Sequence, residues 1–516
     1  MSRSGGANAE RAVAAPEAGV VGVADAGAVR NTLLQLASQV AGLIFTGGLT
    51  LFLVRSLGAS AYGLYGLAIS VSGLLVLPAG MGLPLALGRY LADHRHDVRQ
   101  VRAILALGLR IQGPVGLVAS VALLAAAGPI AHAYGHPHLA WPLRWAALSV
   151  GGQALFNVLS SAVASVRQSA LAVWMALIES AIEAATSVSL VLAGAGAAGA
   201  VLGKVAGYAV AGIAGMYLIG RLLGGRGKRV RGQPLERAVG PRALLGYAGA
   251  MFLVDVGFSA IAQLDILMIA ALFSTMAVGQ FSAVLRMLTV LGYLGLAVSS
   301  GVAPRVSRGG EGPDTRTFAE ALRYLIIVHG LVIAPLVVWA SPIAGLVLGP
   351  GYGRSPAIMR VLAPFYFLAG PAGLVTVSVT YLGEGRRRVV IVAVTLVVGL
   401  AATYALLRTV GVLGAAIGDD IIEVIWVGAH LRICHRLLGL DLERLGLCAL
   451  RSLLAGAAMA LPLLAAGTGH LTLAGWVLGA CGSAIGYVGM LLATRELSLA
   501  ELRELAAGLR RGIRAP

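Results

Sequence analysis

The sequence predicts an all-α membrane protein of about fourteen transmembrane helices, arranged as two pseudo-symmetric six-helix lobes followed by a C-terminal helix pair. Three observations predict it. Of 516 residues, 58% are hydrophobic and only 12% charged, with a mean hydropathy of +0.87, so lipid must be the main solvent. Apolar runs recur along nearly the whole chain, each near the roughly 20 residues that a helix needs to cross a hydrocarbon core of about 30 Å. Between those runs the basic residues fall in alternate loops, as the retention of positive charge on the cytoplasmic side requires.

Taken in order, residues 1–30 read as a flexible cytoplasmic tail without the ordered regions of a secretory signal. The expected helices cover 31–54, 63–87, 103–127, 141–165, 171–193 and 199–220, making a first lobe over 31–220. A basic cytoplasmic linker, 221–242, follows. The second lobe, 243–433, holds helices at 243–271, 278–303, 319–341, 358–381, 389–408 and 412–433. A further pair spans 447–466 and 471–493, and 494–516 is a cytoplasmic tail. There Ser498 and Glu501 have capping-box spacing, with Leu499, Leu502, Leu505, Leu509 and Ile513 along one side of an amphipathic helix on the inner membrane surface.

On this assignment only Arg55, Arg354 and Arg408 lie in the outer loops, and only Arg110, Arg144, Lys204, Arg286 and Arg360 lie within helices, out of 39 basic residues. Both ends are therefore placed in the cytoplasm of a multi-pass protein of the cell membrane. The net charge of +17 resides in inner loops, which argues against nucleic acid as a partner and for membrane lipids. In the linker, the stretch from Gly224 to Lys228 lacks the spacing of a phosphate-binding loop, and Arg229 follows the Lys where Ser or Thr is needed. Cys434, Cys448 and Cys481 have no metal-ligand spacing, and His132, His136 and His138 lack acidic or thiol companions, so no metal site is expected.

The halves repeat weakly at an offset near 216. Ala61-Tyr62-Gly63-Leu64-Tyr65 answers Ala277-Val278-Gly279-Gln280-Phe281, Arg89 answers Arg305, Ala133-Tyr134-Gly135 answers Gly351-Tyr352-Gly353, and Gly196–Ala200 answers Gly411–Ala415. Six helices separate equivalent positions, so the repeats share one orientation and an axis along the membrane normal.

With Arg55-Ser56-Leu57-Gly58, Tyr62-Gly63-Leu64-Tyr65, Asp265, Val278-Gly279-Gln280-Phe281, Ala303-Pro304-Arg305, Leu348-Gly349-Pro350-Gly351-Tyr352, Leu382-Gly383-Glu384-Gly385-Arg386 and Gly411–Ile417 in this order and spacing, the chain resembles the oligosaccharide flippase, or polysaccharide transporter, family. That family is part of the superfamily that includes multidrug extruders and the lipid II flippase. The resemblance implies movement of polyprenyl-(pyro)phosphate-linked oligosaccharides to the outer leaflet by alternating access, with no cofactor and no enzymatic step, either passive or coupled to H⁺ or Na⁺, and with polysaccharide-assembly proteins as further partners. Gly418–Asp420 continues the last motif with unusual acidity.

An ionisable group in the bilayer costs at least ~2.5–3.5 kcal/mol and so requires a partner, a cavity or a role. Arg286, Arg144, Arg360 and Lys204 are candidate substrate-binding residues, because phosphate needs cationic, preferably forked, donors. Glu179, Glu183, Asp255, Asp265, Asp419, Asp420 and Glu423 are candidates for coupling or gating. Glu179 and Glu183 stand one turn apart, where a shared proton or a nearby cation such as Lys204 or Arg144 is needed. Lys204 aligns with Asp419 in the repeat, which suggests a Lys204 to Asp419/Asp420 contact across the lobes in one access state. Two other functions fit less well. A small-molecule exporter would be expected to have twelve helices, and a membrane glycosyltransferase needs an early outer-loop carboxylate that residues 55–62 lack.

Overall fold

The computed structural model describes residues 20–94, 97–165, 169–225, 240–306 and 313–503. In order, the helices are α1 (Val20–Gly80), α2 (Leu83–Asp93), α3 (Val98–Ala133), α4 (Ala140–Ser165), α5 (Ser169–Leu192), α6 (Gly196–Gly225), α7 (Pro241–Leu272) and α8 (Thr275–Val302). Then come α9 (Thr315–Val338), α10 (Ala340–Val347), α11 (Ser355–Val361), α12 (Ala363–Tyr381), α13 (Gly385–Val410), α14 (Leu413–Leu438), α15 (Leu442–Ala466) and α16 (Leu473–Ala493). No strand occurs among the described residues.

Local chemistry sets many of the boundaries. Side chains of Asp97, Ser274, Asp314, Asp441 and Thr472 accept hydrogen bonds from backbone N–H groups of the first turns of α3, α8, α9, α15 and α16, the usual work of an N-cap. The first two expected helices are joined in α1, which is interrupted at Gly58 (φ 70°, ψ 169°), a conformation that a side chain would strain. The helix expected over 63–87 breaks at Gly82 (φ 65°), with Pro84 in the first turn of α2. That expected over 358–381 divides at Leu362 into α11 and α12, because Pro364 supplies no N–H to continue the ladder. Helix α1 begins ten residues before the expected end of the N-terminal tail.

Eleven helices among the described residues are long and apolar enough to cross a membrane. In this set α1 enters once, as Ile44–Gly80; α7 contributes only the shorter apolar stretch Ser259–Leu272; and α14, with Asp419, Asp420 and Glu423, falls outside it. Large apolar side chains are exposed along many of these helices, among them Leu117, Ile213, Val397, Leu461 and Ile485. In water such surface would be unfavourable; against lipid it is the expected exterior of a multi-pass membrane protein.

The longest core cluster joins the two halves of the chain, with Leu53, Tyr62 and Leu67 from α1 packed with Val278, Phe281 and Val284 from α8. Their crossing is reciprocal. A Cβ added to Gly63 would collide with the carbonyl of Thr275, and one added to Gly279 would collide with that of Ala59, which stands at the same offset of 216. Only glycine permits this approach. Near it, Tyr352 Oη donates to Val54 O at 3.0 Å, and the Arg55 guanidinium donates to the carbonyls of Leu346 and Val347, tying the end of α10 to α1.

Helices α15 and α16 pack on α9. Trp339 Nε1 donates to Leu463 O at 2.9 Å, and Tyr487 Oη donates to Ile327 O at 2.5 Å, so these two buried polar aromatic groups have acceptors. The segment after α16 is clasped by charge. Arg323 donates to the carboxylates of Glu496 (2.7 Å) and Glu501 (2.9 Å) and to the Glu496 carbonyl, and Arg451 donates to Glu496 at 3.0 Å. Ser498 and Glu501 form the expected capping box: Glu501 N–H donates to Ser498 Oγ (3.1 Å), and Ser498 N–H to Glu501 Oε2 (2.8 Å).

Candidate functional site

A cavity of about 130 Å³ lies among α1, α5, α6 and α8. Phe45, Leu49 and Leu53 of α1 give it an apolar wall in which Thr46 and Thr50 are the polar groups. The rest of the lining is Glu179, Ser180 and Glu183 of α5, Lys204 and Tyr208 of α6, Tyr65 of α1 and Arg286 of α8. Helical spacing accounts for the arrangement: Glu179 and Glu183, and likewise Lys204 and Tyr208, are four residues apart and so share one face of their helices.

Lys204 is the centre of the polar wall. Its Nζ lies 3.4 Å from both carboxylate oxygens of Glu183 and 5.1 Å from the centre of the Tyr208 ring. The pair is largely withdrawn from solvent, with side-chain exposures of 19% and 13%, so each charge is needed to keep the other in place. Room for the pair comes from Gly207, where a Cβ would press on the Glu179 carbonyl and the Glu183 Cβ. Glu179, one turn before Glu183, accepts from Ser180 Oγ at 3.2 Å.

Arg286 differs from Lys204. Its guanidinium lies 5.9 Å from the centre of the Tyr65 ring, and among the described residues no carboxylate stands within ion-pair distance of it. Its forked donors therefore line the cavity without a direct ion pair, although Glu183 is near enough to act on it electrostatically.

The structure gathers four of the sequence candidates here: Arg286, Lys204, Glu179 and Glu183. Others lie elsewhere. Arg144 is exposed on α4 with its guanidinium 4.8 Å from the Trp141 ring, and Arg360 donates to Val337 O (3.1 Å) and Ser341 Oγ (3.0 Å) at the end of α9. Neither lines the cavity. The expected Lys204 contact with Asp419/Asp420 is not formed in this structure, because Glu183, on the neighbouring helix, holds the ammonium.

Asp419 instead faces Asp265 of α7, the two carboxyls lying within hydrogen-bonding reach of one another. Both are buried, as is Glu423. Asp420 accepts the Phe365 N–H at 2.9 Å, capping the start of α12. None of these four acids has a basic partner among the described residues. Asp255 belongs to α7, but its side chain lies outside the described residues. Among those residues no group of three or more His, Cys, Asp or Glu has the geometry to hold a metal ion.

Sequence reasoning missed Thr46, Thr50, Ser180, Tyr65 and Tyr208 as lining residues. Tyr208 was within reach, since it follows Lys204 by one turn, and Tyr65 closes the first repeat motif. Thr46 and Thr50 carry no signal until α1 is packed.

Helices with apolar outer surfaces enclosing a charged cavity define a multi-pass membrane fold. In fold the chain is similar to "Lipid II flippase MurJ, inward closed conformation", with a TM-score of 0.71 at 12% identity over 91% of this chain and 99% of that one. It is also similar to the inward-facing conformation of a multidrug resistance MATE family transporter (TM-score 0.59, 15% identity, 79% and 98% coverage) and to the MATE multidrug transporter DinF-BH in complex with R6G (0.55, 14%, 84% and 100%). The pattern of the Polysaccharide biosynthesis protein family matches residues 28–309, more than half of the chain, and the chain belongs to that family. No curated protein matches the sequence significantly.

Proposed function

We propose that this protein flips a polyprenyl-(pyro)phosphate-linked oligosaccharide across the cell membrane by alternating access. The observation that carries the reading is Arg286: a guanidinium with no direct ion pair among the described residues, lining a cavity built from both halves of the chain. A phosphate in that cavity would meet the forked donors it binds best. A sugar head group needs such a polar enclosure, whereas the polyprenyl chain can remain in lipid. Membership of the polysaccharide biosynthesis family supports an oligosaccharide-related cargo.

In this reading fourteen helices cross the membrane. α1 is counted twice, once on each side of Gly58, and α7 and α14 cross with Asp265, Asp419 and Glu423 buried. Residues 31–220 and 243–433 form two lobes that rock about the cavity, 221–242 links them, and the helix pair within 447–493 stands beside the second lobe. Both termini face the cytoplasm, following the distribution of Arg and Lys. Asp265, Asp419, Asp420, Glu423 and Asp255 are the groups through which H⁺ or Na⁺ would be coupled to transport.

The test is the movement of a fluorescent polyprenyl-pyrophosphate-linked sugar between leaflets of proteoliposomes. Arg286→Ala is expected to slow transport about 30-fold, as the loss of about 2 kcal/mol of charge-assisted binding implies, and Arg286→Lys to slow it less. Unchanged transport by Arg286→Ala would remove Arg286 from the phosphate site. Wild-type protein that leaves the lipid in its original leaflet would overturn the flippase reading.

A further inference from the structure

The cavity contains more than a phosphate needs. Two carboxylates line it, and a carboxylate repels phosphate. Glu183 is accounted for, because both of its oxygens face Lys204. Glu179 is not. Among the described residues it accepts from the neighbouring Ser180 hydroxyl and has the Glu183 carboxyl within hydrogen-bonding reach, and Lys204 makes its ion pair with Glu183 rather than with it. A carboxylate has room for about four donors, so Glu179 brings unused acceptor capacity to a cavity wall.

We infer that Glu179 and Ser180 form the subsite for the first sugar of the head group, with Glu179 accepting hydrogen bonds from two of its hydroxyls while Arg286 holds the adjoining phosphate. This rests on the lipid-linked substrate proposed above and names the group that distinguishes the sugar from the lipid carrier.

The chemistry of the wall supports a neutral, donor-rich ring over other occupants. The rings of Tyr65 and Tyr208 are each engaged by a cation, Arg286 and Lys204 respectively, so the cavity's cations are held at the α6 and α8 sides. An amine at Glu179 would sit beside the Lys204 ammonium and be repelled. Hydroxyls bring donors without charge. In the same lining Thr46 and Thr50 offer groups that both donate and accept, and Phe45, Leu49 and Leu53 offer an apolar surface for the C–H face of a sugar ring.

The experiment compares two probes on the purified protein: polyprenyl pyrophosphate without sugar, and the same lipid bearing one neutral hexose. Wild type is expected to bind the glycosylated lipid more tightly. Glu179→Gln, which keeps the shape but halves the acceptors and removes the charge, is expected to reduce that preference about tenfold, and Ser180→Ala to reduce it by a smaller factor. Arg286→Ala should weaken both lipids and leave their ratio in place, which separates loss of the phosphate site from loss of the sugar site. An unchanged ratio in Glu179→Gln, or no preference in wild type, would overturn the subsite while leaving the flippase reading intact. Failure of wild type to bind either lipid would overturn both.

Discussion

Lys204 and Asp419 occupy equivalent places in two helix pairs that pack alike, yet their surroundings have opposite electrostatic character. In the α5–α6 pair a Cβ at Gly203 would strike the Ser187 hydroxyl; in the α13–α14 pair one at Gly418 would strike the Thr403 hydroxyl, and these residues differ by 215 and 216 positions. One turn away the sizes are exchanged. Gly207 makes room for Glu183 in the first pair, and Gly399 makes room for Ile422 in the second. The exchange removes the acid that Lys204 uses, so the polar residue of the second pair turns to α7 and finds Asp265. Conserved backbone geometry thus supports opposite chemistry: opposite charges paired at a cavity in one region, and acids lying against acids in the other.

The sharpest way to break this comparison is to remove one partner in each region. Glu183→Ala strands the Lys204 ammonium and is expected to lower stability by about 3 kcal/mol, read as thermal unfolding in detergent, with Glu183→Ala/Lys204→Ala recovering much of the loss. Next, Gly203→Ala and Gly418→Ala should each destabilise by about 2 kcal/mol, because both overpack the same helix crossing. Clearly unequal losses would mean that the two pairs are not mechanical equivalents. A third substitution, Asp419→Asn, relieves crowding between acids and is expected to change stability by less than about 1 kcal/mol in either direction. An effect as large as that of Glu183→Ala would end the distinction drawn here.

The smallest effect concerns the clasp on the C-terminal segment, which extends the comparison to charges outside the spanning helices. Burial alone would raise the Glu496 carboxyl, but hydrogen bonds from Arg323 and Arg451 hold it below its ordinary value. A hydrogen bond from Arg323, with a second from the Ser498 N–H, holds Glu501 down to about 2. Carboxylates lowered in the folded state stabilise it above their ordinary value near 4.5 and lose that contribution as pH falls toward the folded value. Residues 494–503 should therefore stay protected from proteolysis at pH 6 and lose protection between about pH 4.5 and 2. Arg323→Gln should weaken the pH dependence, leaving the part that Arg451 and the Ser498 N–H supply.

Much of this molecule was legible before folding. Helix positions followed from apolar run length, and the capping box at Ser498 and Glu501 followed from spacing alone. Glu179, Glu183, Lys204 and Arg286 stood out because an interior charge is too unfavourable to be incidental. Lys204 as the cation beside the α5 acids was within reach of the sequence, whereas its contact with Asp419/Asp420 is not formed in this structure, since repeat alignment identifies equivalent positions and equivalent positions need not touch. Arg144 and Arg360 were grouped with Arg286 because a sequence does not distinguish a guanidinium at a helix end, satisfied by a Trp ring or a carbonyl, from one facing a cavity.

By itself the sequence determined that the chain lives in lipid, which stretches are helical, and which charges must find partners, because each depends on the local balance of apolar and polar groups. Tertiary structure alone decided which partner each charge found. It set Lys204 on Glu183, left Arg286 facing open space and pressed Asp265 against Asp419. Such contacts depend on how helices far apart in the chain cross, and glycines such as Gly63, Gly207 and Gly279 set those crossings by what their missing side chains allow to approach.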